Sequence, residues 1–384
     1  MSQASPLHIP FCTLPPECAA LRAEVRRFLA ETLPSHRNAV PQTFSAFDAE
    51  FSRKLGARGW IGMTWPKQYG GHERSYLERY VVVEELLAAN APVLAHWIAD
   101  RQSGPQLLRF GSEDMRERML PAIARGELYF CLGMSEPDAG SDLASIRTRG
   151  QRVQGVEGGW LINGRKIWNT AHHAHYMIAL VRTTKSDANR HFGLSQFVID
   201  LKTPGISIRR LKNLTGVEGF SEVLFEDVLV PQASLLGIEG EGWKQVTTEL
   251  GDERAGPERY LSSFQLLTHM LDEASASDDR AVVALGQCVA EARTLRNMSL
   301  GLAGMSSRGE DISSTAAMFK ELGTTFEQSV PDLAASLFDL EQADPNSALA
   351  VTARRIVQVS PSYSLRGGSR EVLKGVIARK LGLR

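Results

Sequence analysis

Two short stretches carry the residues best suited to chemistry. The first is Met134-Ser-Glu-Pro-Asp-Ala-Gly-Ser-Asp-Leu-Ala-Ser-Ile-Arg-Thr-Arg149 and the second is Gly164-Arg-Lys-Ile-Trp-Asn-Thr170. In the first, Pro137, Gly140 and Asp142 punctuate a loop between two apolar segments. Such a loop can turn backbone N–H groups and the hydroxyls of Ser135 and Ser141 toward one ligand. In the second, Leu161 to Trp168 reads as a hairpin, with Asn163-Gly164 as its turn and Lys166-Ile167-Trp168 as its return strand. Strand alternation then puts the Trp168 ring and the Thr170 hydroxyl on one side. Hydroxyls, backbone amides and an indole face suit a flat heterocycle with a pyrophosphate tail.

Other chemistries lack their signatures. There is no G-x-G-x-x-G after a strand, no G-x-x-x-x-G-K-S/T, no H-E-x-x-H and no G-x-S-x-G, which disfavours nicotinamide, nucleotide-hydrolysing, zinc-protease and serine-hydrolase readings. His172, His173 and His175 are the one tempting metal cluster. No Cys, Asp or Glu lies within ten residues before them, so they read as a polar turn and no metal is expected.

Together the two stretches resemble the flavin signature of the acyl-CoA dehydrogenase family. Other pieces fall in that family's order: Trp65-Pro-Lys-Gln-Tyr-Gly-Gly71, Phe225-Glu-Asp-Val-Leu-Val-Pro231 and Gly367-Gly-Ser-Arg-Glu-Val-Leu373. The resemblance covers nearly the whole chain and is weakest from Asp278 to Pro361. It implies FAD as cofactor and a dimer or tetramer as assembly. It also implies oxidation of an acyl-CoA to the trans-2-enoyl-CoA, with electrons passed to an electron-transfer flavoprotein.

Such a dehydrogenation needs a base for the α-proton, and a carboxylate desolvated at the site would suit it. In the family the base comes either from a Glu-Gly-Thr run near the C-terminus or from a Glu-Arg on the first helix after the barrel. Here the first place reads Gly367-Gly368-Ser369 and the second Asp252-Glu253-Arg254, the isovaleryl-type arrangement. Glu253 is therefore the expected base. Glu258, in the repeated Glu258-Arg259, is the runner-up.

The resemblance further implies that Leu132, Met134 and Ser135 meet the flavin pyrimidine edge. Gly140 and Ser141 would lie on the pyrophosphate side, and Trp168 and Thr170 at the dimethylbenzene face and N5. Gly368, Ser369, Arg370 and Glu371 would close over the site. Ser141, Arg254 and Gly368 would meet the substrate.

Two departures from the family pattern concern flavin contacts across a subunit interface. The Arg-x-x-Phe-Gly run is replaced by Asp279-Arg280-Ala-Val-Val-Ala-Leu-Gly286, and the Gly-Gly-x-Gly loop by Ala334-Ala-Ser-Leu-Phe-Asp-Leu-Glu-Gln-Ala343. They keep open a non-catalytic or half-site subunit of a hetero-oligomer; a flavin oxidase of the same fold, whose chemistry also needs a carboxyl base, is the other alternative.

The elements that must position these residues follow from periodicity. Residues 1–16 read as an extended arm, and 17–125 as a helical domain. Its helices are expected at Glu17–Leu33 (stopped by Pro34), Phe47–Arg58, Tyr76–Ala89, Leu94–Phe110 and Glu113–Ile123. Residues 126–236 read as a middle β-barrel built on strands at Leu128–Met134, Gly150–Val156, Trp160–Trp168, Tyr176–Thr183, Leu194–Asp200, Ile206–Leu211 and Ser221–Val230. Residues 237–384 return to helix, at Trp243–Leu250, Pro257–Ala274, Ala281–Ser307, Ile312–Leu340 and Arg370–Leu381. The resemblance makes that last region a four-helix bundle. Pro257 either kinks the helix beside the base, widening the pocket for a bulky acyl group, or opens the next helix. The fold class is thus mainly α with a central β-barrel.

Composition agrees with a folded enzyme. Of 384 residues 43% are hydrophobic, enough for a sizeable core. Lys plus Arg is 43 and Asp plus Glu 44, so nucleic-acid or membrane-surface binding has no electrostatic support. The apolar runs are too short for a membrane span and the N-terminal residues do not read as a secretory signal. Cys12, Cys18, Cys131 and Cys288 show no C-x-x-C pairing. A reduced, cytoplasmic protein is expected.

Overall fold

The structure is a computed structural model. It describes residues 7–33, 46–154, 158–185 and 189–383, with only the backbone of 250–252. Residues 1–6 of the expected arm, Pro34 and Val156 lie outside the described residues.

In chain order the helices are α1 (Glu17–Thr32), α2 (Ala49–Ala57), α3 (Tyr76–Ala88), α4 (Leu94–Ile98), α5 (Gly104–Phe110) and α6 (Glu113–Ala124). Then come the strands β1 (Phe130–Gly133), β2 (Arg149–Val153), β3 (Gly159–Asn169), β4 (Tyr176–Arg182), β5 (Leu194–Asp200), β6 (Ile206–Leu211), β7 (Phe220–Pro231) and β8 (Leu235–Leu236). The chain continues through α7 (Gly242–Glu253), α8 (Phe264–Glu273), α9 (Asp279–Ser307), α10 (Ser313–Leu337), α11 (Ala348–Val359) and α12 (Arg370–Lys380). Helix, sheet, helix is the expected order. No described helix is long and apolar enough to cross a membrane.

The chain forms two compact units. One comprises Met1–Ala46, Arg74–Pro92 and Gly251–Arg384; the other comprises Phe47–Glu73 and Val93–Leu250. In the first, α3 opens with a capping box: Ser75 Oγ accepts from Glu78 N, and the Glu78 carboxylate accepts from Ser75 N. Its apolar stripe, Val81, Val82, Leu86 and Leu87, is buried, in contact with α1 and α9. A buried carboxylate joins the same three helices. Glu84 accepts from Arg22 of α1 (2.8 Å) and from Arg296 of α9 (2.6 and 3.0 Å), and its Oε1 also accepts from the Tyr80 and Tyr260 hydroxyls.

In the second unit the strands form one sheet in the order β6-β7-β3-β2-β4-β5-β8, with β1 parallel on β4. The interior of β4, Met177 to Val181, is fully buried on both sides, which is why it reads as an unbroken apolar run. Trp160, Ile162, Met177, Phe197, Val223 and Phe225 lead its core.

Several elements depart from expectation. The segment Leu94–Phe110 is helical, but a π-turn at Ala99–Ser103 separates α4 from α5. Pro105 cannot donate to the carbonyl four residues back and its ring would strike it, so the turn before it widens. Gly104 is required there, since a Cβ would lie 2.2 Å from the Trp65 ring. Pro257 opens a short 3-10 turn, Pro257–Arg259, and α8 begins only at Phe264; the residue restarts the chain rather than kinking a helix. Helix α11 went unforeseen, although Ser347 caps it and Leu349, Ala350, Ala353 and Ile356 are buried at helical spacing.

The largest correction concerns β3. Asn163-Gly164 does not turn the chain; it forms a bulge inside one continuous strand paired with β2 and β7. Gly164 has φ +146°, and a Cβ would lie within 2.7 Å of Thr148, so the bare backbone admits a neighbouring strand end. Asn163 accepts from Asp227 N and donates to the Asp227 carboxylate, which uses up its turn-forming side chain.

Candidate functional site

The β unit brings the two stretches together. Ile167 N donates to the Ser135 carbonyl at 3.0 Å and Lys166 Nζ to the Met134 carbonyl at 3.0 Å. Leu132 on β1 and Met134 and Ser135 just beyond it are half-buried, while Gly140 and Ser141 are exposed. A Cβ on Gly140 would meet nothing within 4 Å. The 136–147 loop is latched at its base by one carboxylate. Glu136 accepts from Arg147 N (2.6 Å), Thr148 N (2.9 Å) and Lys166 Nζ (2.9 Å).

Lys166 is wholly buried, and burial lowers its pKa to about 8. Burial works to raise the Glu136 pKa, but the Lys166 charge and the Thr148 and Arg147 bonds outweigh it and hold it low. Neither residue was singled out from sequence. The available signal was a lysine in step with Trp160 and Ile162 on the inward face of a strand, which demands a buried anion.

Trp168 is 62% exposed and has φ +62°. A bulky residue in the left-handed region is a genuine outlier. It sits at a second register shift of β3, between Lys166 and Asn169, so the alternation invoked for Trp168 and Thr170 does not apply. Thr170 lies past the strand end, before the 3-10 turn Ala171–His173. The indole is exposed on a strained backbone, with Phe220 edge-on to it at 6.0 Å.

The neighbouring histidines are structural. His172 Nδ1 pairs with Ser221 Oγ, His173 stacks on Phe47 at 4.3 Å, and His175 stacks on Tyr129. Burial lowers the His173 pKa to about 4. Among the described residues no group of three His, Cys, Asp or Glu can hold a metal ion.

The other unit gathers Glu253, Arg254, Glu258 and Gly367–Glu371. Glu253 ends α7, its side chain 20% exposed, and Oε1 accepts from Arg259 Nη2 at 2.8 Å. Glu258 is 4% exposed, with its carboxylate folded back on Gly256, where a Cβ would lie 2.2 Å from Oε2. Arg254 is also buried, and its Nε donates to the Gly367 carbonyl at 2.9 Å. Gly367 and Gly368 have φ +66° and +97°, and a Cβ on Gly367 would lie 2.9 Å from Arg259 Nη2 and 3.2 Å from Glu253 Oε1. The bare turn therefore faces the Arg259–Glu253 pair.

Lys320 of α10 donates to the Gly368 carbonyl at 2.6 Å. Burial, helped by the Arg259 charge, brings its pKa down to about 7. Ser369 caps α12, with Glu371 in the first turn. Arg370 is engaged by Glu321 (2.7 Å) and Thr325 of α10.

These sequence features are shared with known proteins. The family model for the acyl-CoA dehydrogenase N-terminal domain matches residues 15–127, and that for the acyl-CoA dehydrogenase middle domain residues 131–228. The chain belongs to the acyl-CoA dehydrogenase family. It is 30% identical to the acyl-CoA dehydrogenase IpdE1 of Mycolicibacterium smegmatis, over 96% of this chain and 98% of that one. Among solved structures it resembles the Tcur3481-Tcur3483 steroid ACAD, with TM-score 0.85 and 26% identity over 96% of this chain and 98% of the other. The ChsE4-ChsE5 complex from Mycobacterium tuberculosis is similar, with TM-score 0.83 and 27% identity over 97% and 99% of the two chains. As a member of the family the chain is an oxidoreductase with an acyl-CoA dehydrogenase fold over nearly its whole length.

Proposed function

We propose that the chain is an FAD-dependent dehydrogenase that converts an acyl-CoA thioester to its trans-2-enoyl-CoA and passes electrons to an electron-transfer flavoprotein. The observation that carries this reading is the Glu253 carboxylate, fixed by Arg259 and facing the side-chain-free Gly367-Gly368 turn. Glu253 takes the α-proton on the oxygen that Arg259 leaves free. Arg254 and Lys320 hold the backbone of that turn, so its conformation is set before substrate arrives.

FAD, when bound, supplies the two-electron acceptor for the β-hydrogen. The residues present fit it. Trp168 offers an exposed aromatic face, and the open Gly140-Ser141 loop gives the pyrophosphate room beside backbone amides. Leu132, Met134, Ser135 and Thr170 would line the ring, and Ser369, Arg370 and Glu371 would cover it. Arg254, Ser141 and Gly368 would meet the thioester. The similarity to a steroid ACAD makes a polycyclic acyl group worth including among substrates.

The test is anaerobic bleaching of the yellow protein over a panel of acyl-CoAs, from butyryl to sterol side-chain thioesters. Glu253→Gln is expected to keep FAD and slow reduction by at least ~10²-fold. Normal reduction in Glu253→Gln with loss in Glu258→Gln would move the base to Glu258.

A second reading has its own observation. Arg280, where the family pattern sends an arginine across a subunit interface, donates instead to the Ser336 carbonyl of its own chain at 2.7 Å. Ala334 is buried within α10, where the pattern has a glycine loop. This favours a hetero-oligomer in which a related chain completes the flavin contacts.

A further inference from the structure

We propose that Arg259 is the positioning residue for Glu253, fixing both the main chain and the side chain of the base with one guanidinium. The inference rests on the reading of Glu253 as base. Arg259 Nη2 donates to Glu253 Oε1 at 2.8 Å and to the Glu253 carbonyl at 3.0 Å, and Nε donates to the same carbonyl at 3.3 Å. That carbonyl closes α7, and helix ends leave such acceptors without an intrahelical donor. The planar fork therefore caps the helix and aims the carboxylate in one stroke, which three independent lysine-type donors could not do.

Arg259 is itself immobile. It is 3% exposed and ends the 3-10 turn opened by Pro257, whose ring fixes φ. Its N–H donates to the Gly256 carbonyl at 3.2 Å. The Glu258 carboxylate lies over the bare Gly256, where a Cβ would stand 2.2 Å from Oε2. The Glu253-Arg-Ala-Gly-Pro-Glu-Arg259 run is thus a return loop that brings its last side chain back onto its first.

The charges around the pair are unequal. Glu253, Glu258 and Glu327 of α10 are the acids, and Arg254, Arg259, Arg366 and Lys320 are the bases that face them. Burial works to lower the Arg259 pKa, but Glu253 and Glu258 outweigh it and raise it, so Arg259 is charged at every pH of interest. Lys320 titrates near neutrality; above that pH three acids face three guanidinium groups. Arg259 keeps one oxygen of the base occupied and charge-paired, and leaves the other for the α-proton.

Three variants of the FAD-loaded protein separate aim from charge: Arg259→Lys, Arg259→Met and Glu253→Gln. Flavin reduction is followed anaerobically between about pH 5 and pH 9. The probes are butyryl-CoA, isovaleryl-CoA, octanoyl-CoA and a sterol side-chain thioester, using whichever bleaches the parent protein. Arg259→Lys keeps the charge and loses the fork. It is expected to slow reduction about 10-fold with FAD content unchanged. Arg259→Met loses both, and its limiting rate is expected to fall about 10²-fold while the substrate concentration for half-maximal rate changes less than about 3-fold. Lys320→Met identifies any limb that Lys320 contributes.

An Arg259→Met protein with the parent's limiting rate, or an Arg259→Lys protein of parental speed, overturns the assignment. Should Arg259→Met fail to fold, the Arg259→Lys rate decides. Parental reduction by Glu253→Gln sinks the base itself. A slow Glu253→Gln beside normal Arg259 variants sinks only the role of Arg259.

Discussion

Trp168 was expected on a strand and stands at a strand's register shift. On the proposed reading its indole is the ring-binding face, and the side chain is exposed. Its direction was read from strand alternation, which the register shift after Lys166 breaks. Trp168→Asn separates a ligand platform from a core residue. Asn tolerates the left-handed backbone, relieving roughly 1–2 kcal/mol of strain. The lost edge-to-face contact with Phe220 costs about 0.5–1.5 kcal/mol. Urea melts of the cofactor-free variant are therefore expected within about 1 kcal/mol of the parent. Loss of a stacking face should meanwhile weaken FAD binding about 10-fold, read by flavin fluorescence titration. A melt several kcal/mol lower with unchanged FAD affinity would make Trp168 a packing residue. Ser135 and Glu253 could be picked out from sequence because their residue types match the family's motifs at those positions. Lys166, Glu136 and Arg259 act through partners, and the Lys166–Glu136 partnership spans thirty residues of chain, which a motif scan does not pair.

At the scale of elements, the strand and helix boundaries were mostly legible because apolar period follows burial. The failures have local causes. Asn163-Gly164 has hairpin chemistry, but Thr148 packs where a Gly164 side chain would lie and Asp227 takes the Asn163 amide, so the strand bulges and continues. Pro105 was set inside one expected helix and widened a turn; Pro257 was set at the start of another, where it opens a 3-10 turn and α8 begins only at Phe264. What joins α1, α3 and α9 could not be read from period at all, because it is the buried Glu84 carboxylate. Burial works to raise its pKa, but the bonds and charges of Arg296 and Arg22 outweigh it and hold it below the ordinary carboxylate range. A depressed folded pKa means the stabilisation is full above the unfolded value of about 4.3 and is lost as pH falls through the lower folded value. Glu84→Gln leaves Arg296 without its anion and Arg22 with Glu85 alone, and is expected to lower stability by roughly 3 kcal/mol at neutral pH, the lower end for a broken buried pair because both arginines are partly exposed. Denaturant melts at pH 7 and pH 4 check both parts: the gap between variant and parent should narrow at the lower pH. A constant gap would place the effect in packing rather than charge.

For the molecule as a whole, the question is whether one kind of chain suffices. The acyl-CoA dehydrogenase pattern is complete at Met134-Ser135, Gly140-Ser141 and Trp168, positions whose proposed flavin contacts are local to the β unit. It departs only around Arg280 and Ala334, and these are the positions whose family roles lie across an interface. The structure gives a physical reason at each. Arg280 stands at the start of α9 with its guanidinium on the Ser336 carbonyl, and Ala334 lies in a helical turn too tightly packed for a loop, with no exposed surface. An arginine on a pyrophosphate is a charge-assisted contact worth on the order of 1.5–3 kcal/mol. Its loss weakens FAD binding roughly 10- to 100-fold. The chain expressed alone is therefore expected to leave a gel-filtration column with less than one FAD per chain, measured by flavin absorbance against protein. Adding FAD in excess should restore the yellow colour, because the local contacts remain. Co-expression with a related chain that carries the Arg-x-x-Phe-Gly run should raise the retained flavin and give a mixed assembly. Arg280→Ala tests the same point from this chain's side: if Arg280 is spent on Ser336, the substitution changes FAD retention by less than ~2-fold, on the order of 0.4 kcal/mol. Full flavin retention by a homo-oligomer of this chain, lost on Arg280→Ala, would show that Arg280 leaves Ser336 to reach a neighbour, and a single kind of chain would then be enough.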